Sequence, residues 1–95
     1  MVTTDEPGYY EDGAFGIRIE NDLLCVPGPE TAYGRFLAFE PLTLCPIDTA
    51  ALDLSLMSAR EKDLLNQYHA LVWSELSGRL PEKEKAWLQR ATRPI

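Results

Sequence analysis

The sequence predicts an α+β chain in which antiparallel strands come first and two C-terminal helices follow. Three observations carry this reading. Residues 14–26 begin with a strict apolar/polar alternation, residues 35–47 form a second β-like run, and a capping box at Ser58 opens a segment whose apolar residues recur every three or four positions.

Taken in order, Val2, Thr3 and Thr4 are branched at Cβ and suit a strand over residues 1–6, which the turn pair Pro7-Gly8 ends. Tyr9 and Tyr10 fall in the loop that follows and are expected to pack it. Along residues 14–26, Phe15, Ile17 and Ile19 face one way while Gly16, Arg18, Glu20 and Asp22 face the other, before Leu23-Leu24-Cys25-Val26 turns uniformly apolar. Arg18 and Glu20 thus share a face as a cation and an anion side by side. Pro27-Gly28-Pro29 is expected to break the strand, leaving residues 29–34 as a loop. The second run, 35–47, contains Pro41, which cannot donate to a ladder and marks a bulge or an edge. Residues 49–57 read as a connector with room for a single turn.

Ser58-Ala59-Arg60-Glu61 is the capping box. The helix it opens carries Leu64, Leu65, Tyr68, Leu71, Val72 and Leu76 as an apolar stripe, and Gly78 is its expected stop. Pro81 suits the first turn of a second helix over 82–91, with Trp87 and Leu88 as packing residues.

With 95 residues, the chain makes at most one domain with a thin stability margin, and its 45% hydrophobic and 25% charged content is that of a globular chain rather than a disordered tail. The net charge of −6 is uneven: ten acidic residues face two arginines through Met57, whereas five acidic face seven basic from Ser58 onward. An acidic surface repels phosphate backbones, so no nucleic-acid partner is expected, and a cation or a peptide amino terminus is better matched. Cys25 and Cys45 sit in apolar runs without a metal-binding spacing and read as buried, reduced core residues. No apolar segment approaches the roughly 20 residues needed to span a bilayer, and no leader is visible, so a cytoplasmic protein without a membrane partner is the expectation.

The chemistry concentrates in two stretches, Asp5-Glu6-Pro7-Gly8-Tyr9-Tyr10 and Gly16-Ile17-Arg18-Ile19-Glu20-Asn21. Carboxylate oxygens suit hard divalent cations, and two glutamates at the mouths of two strand-like segments make sense together only around cations, since alone each raises the other's pKa. This pair of stretches resembles the closing motifs of the pita-bread metallopeptidases, the family of aminopeptidase P, prolidase, methionine aminopeptidase and creatinase. Farther on, Phe39-Glu40-Pro41-Leu42-Thr43 and Pro46-Ile47-Asp48, with helices through Asn66-Gln67-Tyr68-His69 and Ala86-Trp87-Leu88, are similar to the longer aminopeptidase P enzymes.

The resemblance implies a partial pita-bread fold, with residues 1–48 ending the catalytic domain and 49–95 forming a helical C-terminal extension. It implies that Glu6 and Glu20 are two of the five protein ligands of a two-metal centre, Glu20 bridging, with two divalent ions, Mn²⁺ by preference of an oxygen-rich site. Arg18 matches an arginine that hydrogen-bonds around that centre, and Glu6 is the choice for the base. The whole enzyme would remove the first residue from peptides with proline second, as a homodimer. The two aspartates and the histidine that complete the centre have no counterpart here: Asp5 and Asp12 lie in the wrong motif, and His69 reads as a helix-packing or surface residue. The chain is therefore expected to be a C-terminal piece, inactive by itself. The competing expectation is a stand-alone dimerisation module with vestigial ligands, in which Trp73 and Trp87 could serve an interface.

Overall fold

A computed structural model describes residues 1–95. They form two compact units, Met1–Thr43 and Leu44–Ile95. The first is all strand: β1 (Val2–Asp5), β2 (Gly8–Glu11), β3 (Phe15–Arg18), β4 (Asn21–Thr31) and β5 (Gly34–Pro41). β1, β4 and β5 make a three-stranded antiparallel sheet with β4 in the middle, and β2 pairs with β3 as a separate antiparallel ribbon. The antiparallel α+β expectation holds, with corrections to individual elements.

Tyr9 and Tyr10 lie in strand β2 rather than in a loop. The run over 14–26 is two strands, because the ladder stops at Ile19 and Glu20 before β4 resumes. Pro27-Gly28-Pro29 does not break β4, which continues to Thr31 through a register shift between Pro27 and Glu30. There β4 spends two residues, Gly28 and Pro29, against Phe36 alone, the geometry of a bulge, where prolines are tolerated. β1 pairs β4 only from Asn21 to Leu24, so residues 27–31 of β4 have one side without a strand partner.

β5 ends at Pro41, six residues short of the run read from the sequence. Beyond it the pairing is improvised: Leu42 N–H donates to the Asp22 carbonyl at 2.8 Å, and Asp22 N–H donates to the Thr43 hydroxyl at 2.9 Å. A side chain thus substitutes where proline has ended the ladder.

The second unit opens with a short 3₁₀ turn, Thr49–Ala51, capped by Asp48, whose carboxylate accepts from Ala50 N–H at 2.9 Å. α1 (Ala59–Leu76) starts at the expected capping box: Ser58 N–H donates to Glu61 Oε2 at 2.7 Å and Glu61 N–H to the Ser58 hydroxyl at 3.3 Å. The Ser58 hydroxyl also donates to Glu61 Oε2 at 2.7 Å, and this bond first, with that from Ser58 N–H second, holds the Glu61 carboxyl below its ordinary pKa. Gly78 sits in a 3₁₀ turn, Ser77–Arg79, that follows the end of α1 at Leu76. α2 (Glu82–Ala91) begins one residue after Pro81, which takes the cap position.

The buried line of α1 is rotated from the expected stripe. His69 and Val72 are fully buried, while Leu64 and Leu71 are 54% and 38% exposed. On α2, Leu88 is buried as read, but Trp87 is 54% exposed and is no core residue. Both cysteines are free, yet Cys25 is only half-buried and Cys45 exposed.

His69 and its neighbour Tyr68 clamp the preceding segment to α1. Ile47 N–H donates to His69 Nε2 at 3.0 Å, the Tyr68 hydroxyl donates to the Cys45 carbonyl at 2.8 Å, and Cys45 N–H donates to that hydroxyl at 3.3 Å. The bond at Nε2 puts the ring proton on Nδ1, which is buried without a partner. No helix is long and apolar enough to cross a membrane.

Burial lowers the His69 pKa from its ordinary value, because desolvation disfavours the imidazolium. Above about pH 6.5 the ring is neutral in both folded and unfolded chains; as pH falls below that value the unfolded chain takes up a proton first, so stability declines down to the folded-state pKa. Denaturant titrations at pH 7.5 and 5.5 should show this loss, at most about 1.4 kcal/mol per pH unit for one group, and His69→Leu should flatten the dependence. No residue of the strand unit is fully buried, and β5 is an edge strand with Leu37 72% exposed. Concentration-dependent association in sedimentation runs is therefore expected, with Leu37→Lys reducing it.

Candidate metal centre

The β2–β3 ribbon turns tightly at residues 12–14. Ala14 N–H donates to the Glu11 carbonyl at 3.1 Å, and Gly13 takes φ +69°, a conformation that costs a side-chain-bearing residue. From that turn the register pairs Glu11 with Phe15, Tyr10 with Gly16, Tyr9 with Ile17 and Gly8 with Arg18. The β1–β4 ladder pairs Asp5 with Asn21 and Val2 with Leu24. The two sets belong to one register, interrupted for two residues on each side.

Continuing that register through the break sets Pro7 opposite Ile19 and Glu6 opposite Glu20. The first of these pairs keeps one bond, Ile19 N–H to the Pro7 carbonyl at 3.2 Å, and Pro7 has no N–H to return another. Glu6 and Glu20 themselves lie outside both ladders, and it is only the extended register that sets the two sequence-picked glutamates opposite each other.

Arg18 is tied to one of them. Its Nε donates to Glu20 Oε2 at 3.0 Å, and its Nη1 donates to the Tyr10 hydroxyl at 3.4 Å. These partners raise the Arg18 pKa, the Tyr10 hydroxyl most and Glu20 next, so its charge is permanent. The side chains of Arg18 and Glu20 are 51% and 35% exposed, so the pair contributes orientation more than stability.

Tyr10 is the residue that sequence reasoning missed. Its ring lies across the hairpin where two glycines leave room: a Cβ on Gly16 would meet Tyr10 Cδ1 at 2.6 Å, and one on Gly8 would meet the Tyr10 hydroxyl oxygen at 2.8 Å. The available signal was the placement of Gly8 and Gly16 on paired strands around an aromatic residue.

The other residues considered are elsewhere. Asp5 pairs with Asn21 in the ladder, Asp12 lies in the ribbon's turn, and His69 is committed to Ile47. No group of three or more His, Cys, Asp or Glu side chains comes together that could hold a metal ion. Glu6 and Glu20 fit divalent cations in ligand type, as opposed carboxylates, and fall short of a full ligand set.

A family profile described as the C-terminal region of peptidase M24 matches residues 35–95. The chain belongs to this family. Among its relatives, aminopeptidase P2 of Arabidopsis thaliana is 50% identical over 100 residues, covering 100% of this chain and 14% of the relative. A probable Xaa-Pro aminopeptidase P of Coprinopsis cinerea is 44% identical over 100 residues, covering 100% of this chain and 16% of the relative. The crystal structure of an X-prolyl aminopeptidase from Caenorhabditis elegans, described as a cytosolic enzyme with a di-nuclear active site, superposes with a TM-score of 0.84 at 41% identity, covering 99% of this chain and 16% of that one. This M24 C-terminal region thus spans about one-sixth of the length of the relatives it matches. Its antiparallel strands followed by two helices match the C-terminal part of a pita-bread aminopeptidase.

Removing the Tyr10 hydroxyl tests the hydrogen-bond chain. In Tyr10→Phe the Arg18 Nη1 donor loses its acceptor while the ribbon persists, and the Arg18 side-chain N–H signals in NMR spectra should exchange faster with water. Gly16→Ala should displace the ring and disturb those signals as strongly, whereas unchanged signals in both variants would remove Tyr10 from the chain of contacts.

Proposed function

We propose that this chain is the closing segment of a dinuclear-metal Xaa-Pro aminopeptidase, supplying two of its metal ligands, and that it is inactive alone. The observation that carries the reading is the shared register that opposes Glu6 and Glu20, with Arg18 bonded to Glu20. In this reading residues 1–48 complete the catalytic domain and 49–95 form its helical extension.

Two divalent ions bound here, Mn²⁺ by ligand type, would lower the pKa of a water toward neutrality and polarise the scissile carbonyl. The chain's own residues do the rest of what falls to them. Glu6 and Glu20 direct hard oxygen donors into one space. Glu20 would serve as the shared ligand and Glu6 would accept a proton from a water that the ions activate. Arg18 holds the Glu20 carboxylate through the Nε bond, while Tyr10 holds Arg18 from the other side.

The substrate class, peptides with proline second, is supported by relatives named Xaa-Pro aminopeptidase P. A cytoplasmic location is supported by the nematode enzyme being described as cytosolic. Dimerisation of the whole enzyme is part of the proposal and rests on the family resemblance alone.

Isothermal titration of the 95-residue chain with MnCl₂ should give no tight, stoichiometric binding, and proline-peptide cleavage should be absent; either one would overturn the reading. Within a full-length enzyme carrying this segment, Glu20→Gln should abolish turnover with the fold intact. Arg18→Lys should cost roughly 10–100-fold in metal affinity or activity, the usual effect of losing a partner that orients a ligand.

A further inference from the structure

The helical unit carries a groove of about 480 Å³ that takes no part in the carboxylate site. Residues 46–50 form one wall, and Trp87, Arg90, Ala91 and Arg93 form the other. Trp87, Arg90 and Ala91 stand three and four positions apart on α2, so they share a face.

Both walls are held before any ligand arrives. The Tyr68 and His69 bonds to Cys45 and Ile47 fix the approach to the first wall, and the Asp48 cap fixes its end. The second wall is anchored by buried Leu88, by the Thr92 hydroxyl donating to the Leu88 carbonyl at 2.8 Å, and by Asn66, which bonds both the N–H and the carbonyl of Ile95 at 2.9 and 3.3 Å.

What the groove presents is open to solvent. Trp87 leaves 54% of its surface open. Neither Arg90 nor Arg93 is in an ion pair, and the one internal bond between them runs from Arg93 Nη1 to the Arg90 carbonyl at 3.0 Å. The single acidic residue on the lining, Asp48, is already engaged with Ala50 N–H. Two guanidinium groups beside an open indole and apolar Pro46 and Ile47 call for a ligand that joins a carboxylate to an apolar group at short range. Trp87 and Arg90 stand one helical turn apart, so the two groups must lie close together, and an apolar C-terminal residue of a peptide carries both on one Cα, closer than an internal acidic side chain and its neighbour bring them.

We propose that this groove binds the C-terminal end of a peptide, its α-carboxylate between Arg90 and Arg93 and its apolar side chain on Trp87. The site is independent of the metal reading, because it uses none of Glu6, Arg18 or Glu20.

The test is an NMR titration of the ¹⁵N-labelled chain with three pentapeptides: Ala-Gly-Ala-Gly-Phe with a free carboxylate, the same peptide amidated, and amidated Ala-Gly-Ala-Glu-Phe. The free acid should shift the Trp87 indole signal and the amides of residues 47–50, and bind at least tenfold tighter than either amide. The double substitution Arg90→Gln and Arg93→Gln should weaken it tenfold or more, and Trp87→Ala severalfold. Circular dichroism should be unchanged in both variants, since the altered side chains are exposed. Equal binding of the three peptides, tighter binding of the glutamate peptide, absence of saturable binding at millimolar concentration, or indifference to the double substitution would each overturn the proposal.

Discussion

The strand unit depends on one constraint, the single register shared by two ladders on either side of a break. The turn at Gly13 sets it at one end, and β1 against β4 continues it at the other, where Cys25 N–H still reaches the Met1 carbonyl at 2.9 Å. A slip of one residue would move every side chain of a strand to the opposite face and set Glu20 against Asp5 or Pro7. Pro7 withholds an N–H inside the gap, so the ladder opens there without losing alignment. The backbone gives up pairing at Glu6-Pro7 and Ile19-Glu20.

At the opening, one of the two glutamates has a counter-charge close by. Arg18, two residues before Glu20, offsets the charge on one side, and Tyr10 keeps the guanidinium from swinging away. Gly8 and Gly16 matter because their missing Cβ atoms are the space the tyrosine ring fills. The cluster of Tyr10, Arg18 and Glu20 is therefore already ordered while both its charged members remain open to solvent, the condition a cation would need in order to reach the site.

How far this was legible follows from the kind of signal each feature leaves. Alternation at Phe15, Ile17 and Ile19 reveals a strand, and the capping box at Ser58 marks the start of α1 to the residue, because both depend on local chemistry. The two glutamates were picked out by resemblance, and their facing positions emerge only from pairing, which no single strand encodes. Pro27 and Pro29 look like breakers because proline cannot donate, yet a bulge and a free strand side absorb them, and both features belong to neighbouring strands. Leu64 and Leu71 looked like core because they are apolar, whereas the buried line runs through His69, a residue whose polarity disguises it. Trp87 failed in the opposite sense: a large aromatic residue at helical spacing is usually core, and here it stands open on a groove.

The burial of His69 is the counterpart, in the helical unit, of the opening at Pro7. Once the ladder has ended at Pro41, the backbone groups of residues 45–47 need partners, and α1 supplies them from two consecutive side chains: the Tyr68 hydroxyl serves both the N–H and the carbonyl of Cys45, and His69 Nε2 serves Ile47 N–H. The arrangement strands one polar atom, Nδ1, at a cost of about 1–3 kcal/mol. A leucine at this position would remove that orphan only by creating another at Ile47 N–H, so the apolar alternative is no cheaper. Histidine also takes the clamp to the wall of the groove, where residues 46–50 need a fixed backbone if Arg90 and Arg93 are to face a constant partner. The same bond thus settles a loose segment of chain and shapes the surface it lines.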